Sequence, residues 1–264
     1  MSADRERSVS AAFVSIANSL ADGYDAVDLF TGLTMHCAHL LDVASAGLLL
    51  ADGRGVLHLM AASSDATHDL ETFQLQREQG PCLDCYHAGS PVLVPDLSQE
   101  RSRWPVFVPA ATAAGFASVH AVPMRLRDVR LGTLGLFSTQ VGALNADDLD
   151  LAQALAHVAS VALVADKALS DKAAINEHLQ HALESRVILE QAKGVLVERG
   201  GLQMGEAFAA LRHYSRDHNQ KLRDLAHLLV SRELPAAQVL DHALPRSAKP
   251  THELSHPGAP SARS

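Results

Sequence analysis

Few side chains in this chain stand at spacings that chemistry requires. Cys82 and Cys85 form a C-x-x-C directly after Gly80-Pro81. At the start of a short helix, Cys82 would feel the positive end of the dipole, which lowers a thiol pKa and equips it to sense redox state or a ligand. The plainer expectation is two thiols packed at a domain edge. A metal centre would need a second ligand pair at matched spacing, and Cys37 is the only other cysteine. His252-Glu253-Leu254-Ser255-His256 fits H-E-x-x-H. That chemistry needs a helix that aims both imidazoles at one metal, plus a third ligand. Here Pro250 and Pro257 flank the motif, so it reads as a chance match, and no metal is expected. His36, Cys37 and His39 read as helix-surface and core residues. His178 and His181 can titrate near neutral pH, but read as part of a solvated face. There is no P-loop, no Rossmann glycine pattern and no nucleophile elbow. An enzyme therefore has no residues to stand on, and no cofactor is named.

The elements that must position these residues follow from periodicity. Phe13, Ile16 and Leu20, then Val27, Phe30, Leu33 and Leu40, predict two helices over residues 8–40. Val43–Leu50 and Val56–Ala61 flank the turn Asp52-Gly53-Arg54-Gly55 and predict a β-hairpin. An amphipathic helix over 66–77, a short helix after Gly80-Pro81, a strand at Pro91–Pro95 and a helix over Val106–Ala114 follow. Ser118–Leu126 and Leu131–Ser138 predict strands joined by Arg127–Arg130. The sum is a mostly antiparallel sheet flanked by helices.

Asn145 offers an N-cap, with Asp147 and Asp148 in the first turn. From Ala146 to Arg199 there is no proline. One continuous helix of that length would span roughly 80 Å at ~1.5 Å per residue. The alternative is two helices broken near Ser170-Asp171. Ile175, Ala182, Leu189 and Leu196 recur every seven residues, but the companion positions Leu179, Arg186 and Lys193 are poorer. Residues 184–232 then predict three short amphipathic helices, with Gly200-Gly201 closing the first and Asn219 capping the third. Residues 235–264 are rich in Pro, Ser, His and Ala, and read as a short extension and a disordered tail.

Charge is unevenly spread. Residues 1–179 hold 11 Lys/Arg against 21 Asp/Glu, whereas residues 180–233 hold 8 against 7. The acidic half is a poor partner for nucleic acid, and the near-neutral segment can bind one only if its cations share a face. No run of ~18 apolar residues exists, Met1–Ser10 does not read as a leader, and three cysteines make no disulfide framework. A reducing cytoplasm is expected.

Glu190-Gln191-Ala192-Lys193-Gly194-Val195-Leu196, Glu206-Ala207-Phe208, Leu211-Arg212, Asn219 and Leu222-Arg223-Asp224-Leu225-Ala226 together resemble an ANTAR domain over 175–232. Gln79–Asp84, Pro91-Val92, Pro95-Asp96-Leu97, Arg103-Trp104-Pro105 and Ala121–Met124 resemble the GAF domains found with ANTAR in actinobacteria, over 8–165. The fold the resemblance implies is α+β. A GAF-type antiparallel sheet flanked by helices is joined by a long coiled-coil helix (146–199) to a C-terminal three-helix ANTAR bundle. The function it implies is transcription antitermination: a homodimer holds RNA stem-loops in nascent transcripts, under control of a GAF domain that often encloses a small molecule.

Within that frame, Lys193, Arg212, Arg216, Lys221 and Arg223 can supply phosphate contacts. Asn219, His213 and Tyr214 can meet loop bases. Gly194 inside a helix costs ~1 kcal/mol relative to alanine, which suggests close approach by RNA or by a neighbouring helix. Glu190, Glu198, Asp217 and Asp224 sit among these cations and would weaken the free domain. Two other classes remain open: a DNA-binding regulator, since three short helices can form a helix-turn-helix, and a protein-interaction adaptor.

Overall fold

The structure, a computed structural model, describes residues 3–21, 26–164 and 172–243. Helices α1 (Ala3–Ala21) and α2 (Ala26–Leu40) precede strands β1 (Ser45–Ala51) and β2 (Leu57–Ala62). Helices α3 (Asp65–Arg77) and α4 (Pro81–Ala88), strand β3 (Val92–Val94) and helix α5 (Phe107–Ala113) follow. Strands β4 (Ser118–Leu126) and β5 (Val129–Ser138) complete a sheet of order β2-β1-β5-β4-β3. Every neighbouring pair is antiparallel.

Successive strand residues point to opposite faces, and here both faces are covered. Leu48, Leu50, Val122, Met124, Leu134 and Leu136 enter a core with α1, α2 and helix α6 (Ala146–Val164). Leu49, Leu59, Val119, Ala121 and Phe137 enter a second core with α3, α4, α5 and Trp104. The expected N-cap at Asn145 is present: its Oδ1 accepts from the Asp148 N–H at 2.9 Å. The buried Asp148 carboxylate also takes the Arg5 guanidinium, which ties α1 to α6. Strand β5 begins two residues earlier than its apolar run predicts. Val129 and Arg130 pair with Leu126 and Arg125, leaving a two-residue turn with Arg127 at φ 53°.

Helices α7 (Lys172–Gly200), α8 (Met204–Asp217), α9 (Leu222–Val230) and α10 (Ala236–Ala243) form the C-terminal part. The continuity of one helix over 146–199, and a break near Ser170-Asp171, both turn on residues 165–171, which lie outside the described residues. What is described is α7 lying against α6, α2 and β2, with Ala182 buried in the first core. Leu189 and Leu196, two further heptad positions, are buried in a third core with Ala192, Leu211, Leu225 and Leu229. Those three heptad residues are therefore covered within the chain.

Two expectations are corrected. Residues 236–243 are not tail but helix α10, held by Val239 and Leu240 in the third core. Two apolar anchors in eight residues are too few to show periodicity beside a Pro- and Ser-rich stretch. Residues 244–264, including the H-E-x-x-H run, lie outside the described residues. Asn219 does not cap α9: it takes a left-handed φ of 50° in the α8–α9 turn, and Lys221 is the N-cap. Asparagine tolerates that conformation better than most residues, so the turn still explains its place.

Candidate functional site

Two candidate sites emerge. The first lies between the sheet and helices α3 and α4. Ser64 starts α3 by accepting from the Thr67 N–H at 3.2 Å. This phasing turns Thr67, Leu70, Glu71 and Gln74 inward. Glu71 is fully buried, and its carboxyl accepts from the Cys82 thiol at 3.4 Å and from the Gln74 amide. Burial pushes the Glu71 carboxyl up to about 8, outweighing those two hydrogen bonds. Near neutral pH this side chain mostly keeps its proton.

The sheet makes room for it with a pair of glycines. Gly47 and Gly135 face each other across β1 and β5. A Cβ at either would stand 2.7 Å from Glu71 Oε1, and one at Gly135 would also stand 2.8 Å from Cys82 Sγ. Gly80, at φ 146°, lets the Gln74 amide lie against the turn into α4. Gln74 Oε1 and Thr133 Oγ1 are buried without a hydrogen-bond partner among the described residues. Thr133 lies two residues before Gly135 and so shares its face of β5.

Cys82 and Cys85 do sit at this site, but not as activated thiols. Both are buried. Burial, then the Glu71 carboxylate, raises the Cys82 pKa well above its ordinary value, and burial pushes Cys85 up to about 12. The lowered pKa expected from the helix start is corrected: desolvation outweighs the dipole of a helix of only eight residues. Cys37 is a core residue, also pushed up to about 12 by burial. Sequence reasoning named the cysteines and missed Glu71, Gln74, Gly47 and Gly135. The available signal was polar residues at 67, 71 and 74, where an amphipathic helix facing a core should be apolar.

The second candidate is the set of cations carried by α7, α8 and α9. Lys193 donates to Glu190 at 2.8 Å, and its side chain is only 16% exposed. Arg186 also approaches Glu190, at 4.0 Å. His68 on α3 lies in the field of Arg186, Glu190 and Lys193, and burial with Arg186 lowers its pKa. Arg212 pairs with Asp28 of α2 at 2.9 Å. Val27, next to Asp28, is buried in the third core against the C-terminal helices. Arg216, Asn219 and Lys221 are exposed around the α8–α9 turn, and Arg223 is half-buried on α9. Gly194 has open space: a Cβ there would meet nothing within 4 Å. The structure thus gathers Arg216, Asn219 and Lys221 on an exposed turn, while Lys193 and Arg212 are engaged with acidic partners. His213 is exposed, and Tyr214 is buried and stacked on His218 at 3.8 Å between ring centroids.

A family model described as the GAF domain matches residues 25–164, and one described as the ANTAR domain matches residues 177–230. No curated protein matches the chain. Among solved structures, the GAF domain from an Acinetobacter phosphoenolpyruvate-protein phosphotransferase is similar at 14% identity, covering 70% of this chain and 97% of that one, with a TM-score of 0.45. The GAF domain region of a putative membrane protein from Geobacter sulfurreducens is similar at 19% identity, covering 53% and 93%, with a TM-score of 0.44. The free methionine-R-sulfoxide reductase from Neisseria meningitidis is similar at 15% identity, covering 64% and 87%, with a TM-score of 0.43.

Proposed function

Because the chain belongs to the GAF-domain family and carries an ANTAR output domain behind that sensor, we propose that it is a signal-gated RNA-binding antiterminator. The observation that carries the gating is the Arg212–Asp28 pair, which joins the output helix α8 to the sensor helix α2. Arg212 is a candidate phosphate contact, and in this conformation the sensor holds it. A second line runs through α3. Glu71 and Gln74 face the buried sensor site, and His68, three residues before Glu71, faces α7. A small molecule that rearranges the Glu71–Gln74–Cys82 group shifts α3, and with it the seat of α7.

In this reading the conformation described is the closed one. Opening frees Arg212 to join Lys193, Arg216, Lys221 and Arg223 as phosphate contacts, with Gly194 and Asn219 meeting the RNA closely. The RNA-competent form is a homodimer on paired stem-loops. Ala182 is buried in the sensor core of the closed chain, so a seam that includes it forms only after α7 leaves the sensor, while Leu189 and Leu196 stay covered by α8 and α9. Action on nascent transcripts places the protein in the cytoplasm.

The test is a titration of the full chain against a pool of short RNA hairpins, beside Asp28→Ala and Lys193→Ala. A partly exposed ion pair is worth at most ~1 kcal/mol, about a fivefold change in the closed–open balance. Asp28→Ala should therefore bind RNA up to about fivefold more tightly, and Lys193→Ala should lose binding. Failure of every variant to bind hairpins would overturn the RNA reading. Hairpin binding that Asp28→Ala leaves unchanged would overturn the gating alone.

A further inference from the structure

A cluster between α8 and α10 plays no part in the gating just described. His213 and Asp217 stand one turn apart on α8, and His242 reaches them from α10. His242 Nε2 lies 2.8 Å from Asp217 Oδ2, and His213 Nε2 lies 3.7 Å from the same oxygen. One ligand atom from each residue falls within 4.8 Å of the others. The two imidazoles are 5.0 Å apart, centroid to centroid, and tilted by 40°. From this geometry we infer a binding site for a divalent transition metal of the zinc class, with His213, Asp217 and His242 as ligands.

The chemistry suits that class. Two imidazole nitrogens and one carboxylate oxygen are borderline ligands, preferred by zinc, nickel and copper over magnesium or calcium. At zinc–ligand bonds of ~2.0–2.1 Å, ligand atoms in a tetrahedral site stand about 3.3 Å apart. The pairs at 2.8 and 3.7 Å bracket that spacing. The remaining adjustment falls on His213, whose side chain is 60% exposed and free to change rotamer. Helical positions four residues apart share a face, so α8 supplies two ligands without distortion. The fourth position faces solvent and takes water.

The site would also answer a structural need. Helix α10 has only eight residues, of which Val239 and Leu240 are buried. A metal shared between Asp217 and His242 pins it across the end of α8. That end carries Arg216, so the ion would add positive charge beside a candidate RNA contact.

Zinc itself is the probe, competed against a chromophoric chelator, with the full chain as wild type, His213→Ala, His242→Ala, and the double variant His252→Ala/His256→Ala. One zinc per chain is expected to bind tightly in the wild type and in the double variant, and at least tenfold more weakly in each single variant. A tight site that persists in His242→Ala, or one lost in the double variant, would overturn the assignment, as would no tight binding by the wild type. Circular dichroism of the single variants, expected to match the wild type, separates lost ligation from lost fold. RNA binding plays no part in the readout, so this result is independent of the antitermination reading.

Discussion

Glu71 is the residue whose protonation most directly reports the fold. Its folded pKa, about 8, stands above its ordinary value of 4.5 because the carboxyl is buried. A raised folded pKa gives stability that is fully present below the unfolded value and lost as pH rises through the folded one. Thermal melts from pH 5 to 9 should therefore show the wild type losing ground to Glu71→Gln, by roughly 10 °C over that range. A gap that stays constant with pH would show that the carboxyl is not held protonated. Gly135 tests the same site from beneath. A methyl there collides with both Glu71 Oε1 and Cys82 Sγ, so Gly135→Ala should cost about 1–3 kcal/mol in urea unfolding. Combining it with Glu71→Ala should recover part of that loss, since residues in contact do not add independently.

At the scale of elements, helix α10 carries the clearest test. Leu240 packs so closely on Gly200 that a Cβ there would meet its Cδ2 at 2.5 Å. Leu240→Ala should cost about 2 kcal/mol, read as a lower urea midpoint; an unchanged midpoint would mean that α10 only rests on the surface. The elements differed in how legible they were. The hairpin around Asp52–Gly55, the caps at Asn145 and Gly200-Gly201, and the amphipathic α8 and α9 declare themselves through turn chemistry and period. Helix α10 does not, because its apolar residues mean something only once the third core exists. The sensor site was half legible. A C-x-x-C is visible in any sequence, but Glu71 becomes informative only when two glycines eighty-eight residues apart are seen to pair beneath it. Burial is a tertiary property, and it reversed the sign of the shift expected at Cys82.

The whole molecule is organised by what α2 touches. One face of that helix fills the sensor core with Leu29, Phe30 and Leu33, while Val27 and Asp28 reach the C-terminal helices. Burying a valine is worth roughly 1.5–3 kcal/mol, more than the partly exposed ion pair beside it. Asp28→Arg turns that pair into a repulsion and should enlarge the radius of gyration seen by small-angle scattering. If the radius does not change, apolar packing at Val27 and Ala182 keeps the parts together without the ion pair. The same arrangement has a consequence for synthesis on the ribosome. Strand β1 finds its central partner only when Phe137 and its neighbours have been made, since long-range strand pairing must wait for distant residues. Val27 waits longer still, for Leu211 and Leu225 to emerge and cover it. A nascent chain that stalls between those two points carries a finished sheet with an uncovered apolar residue on its second helix, and that interval is when a chaperone would have something to hold.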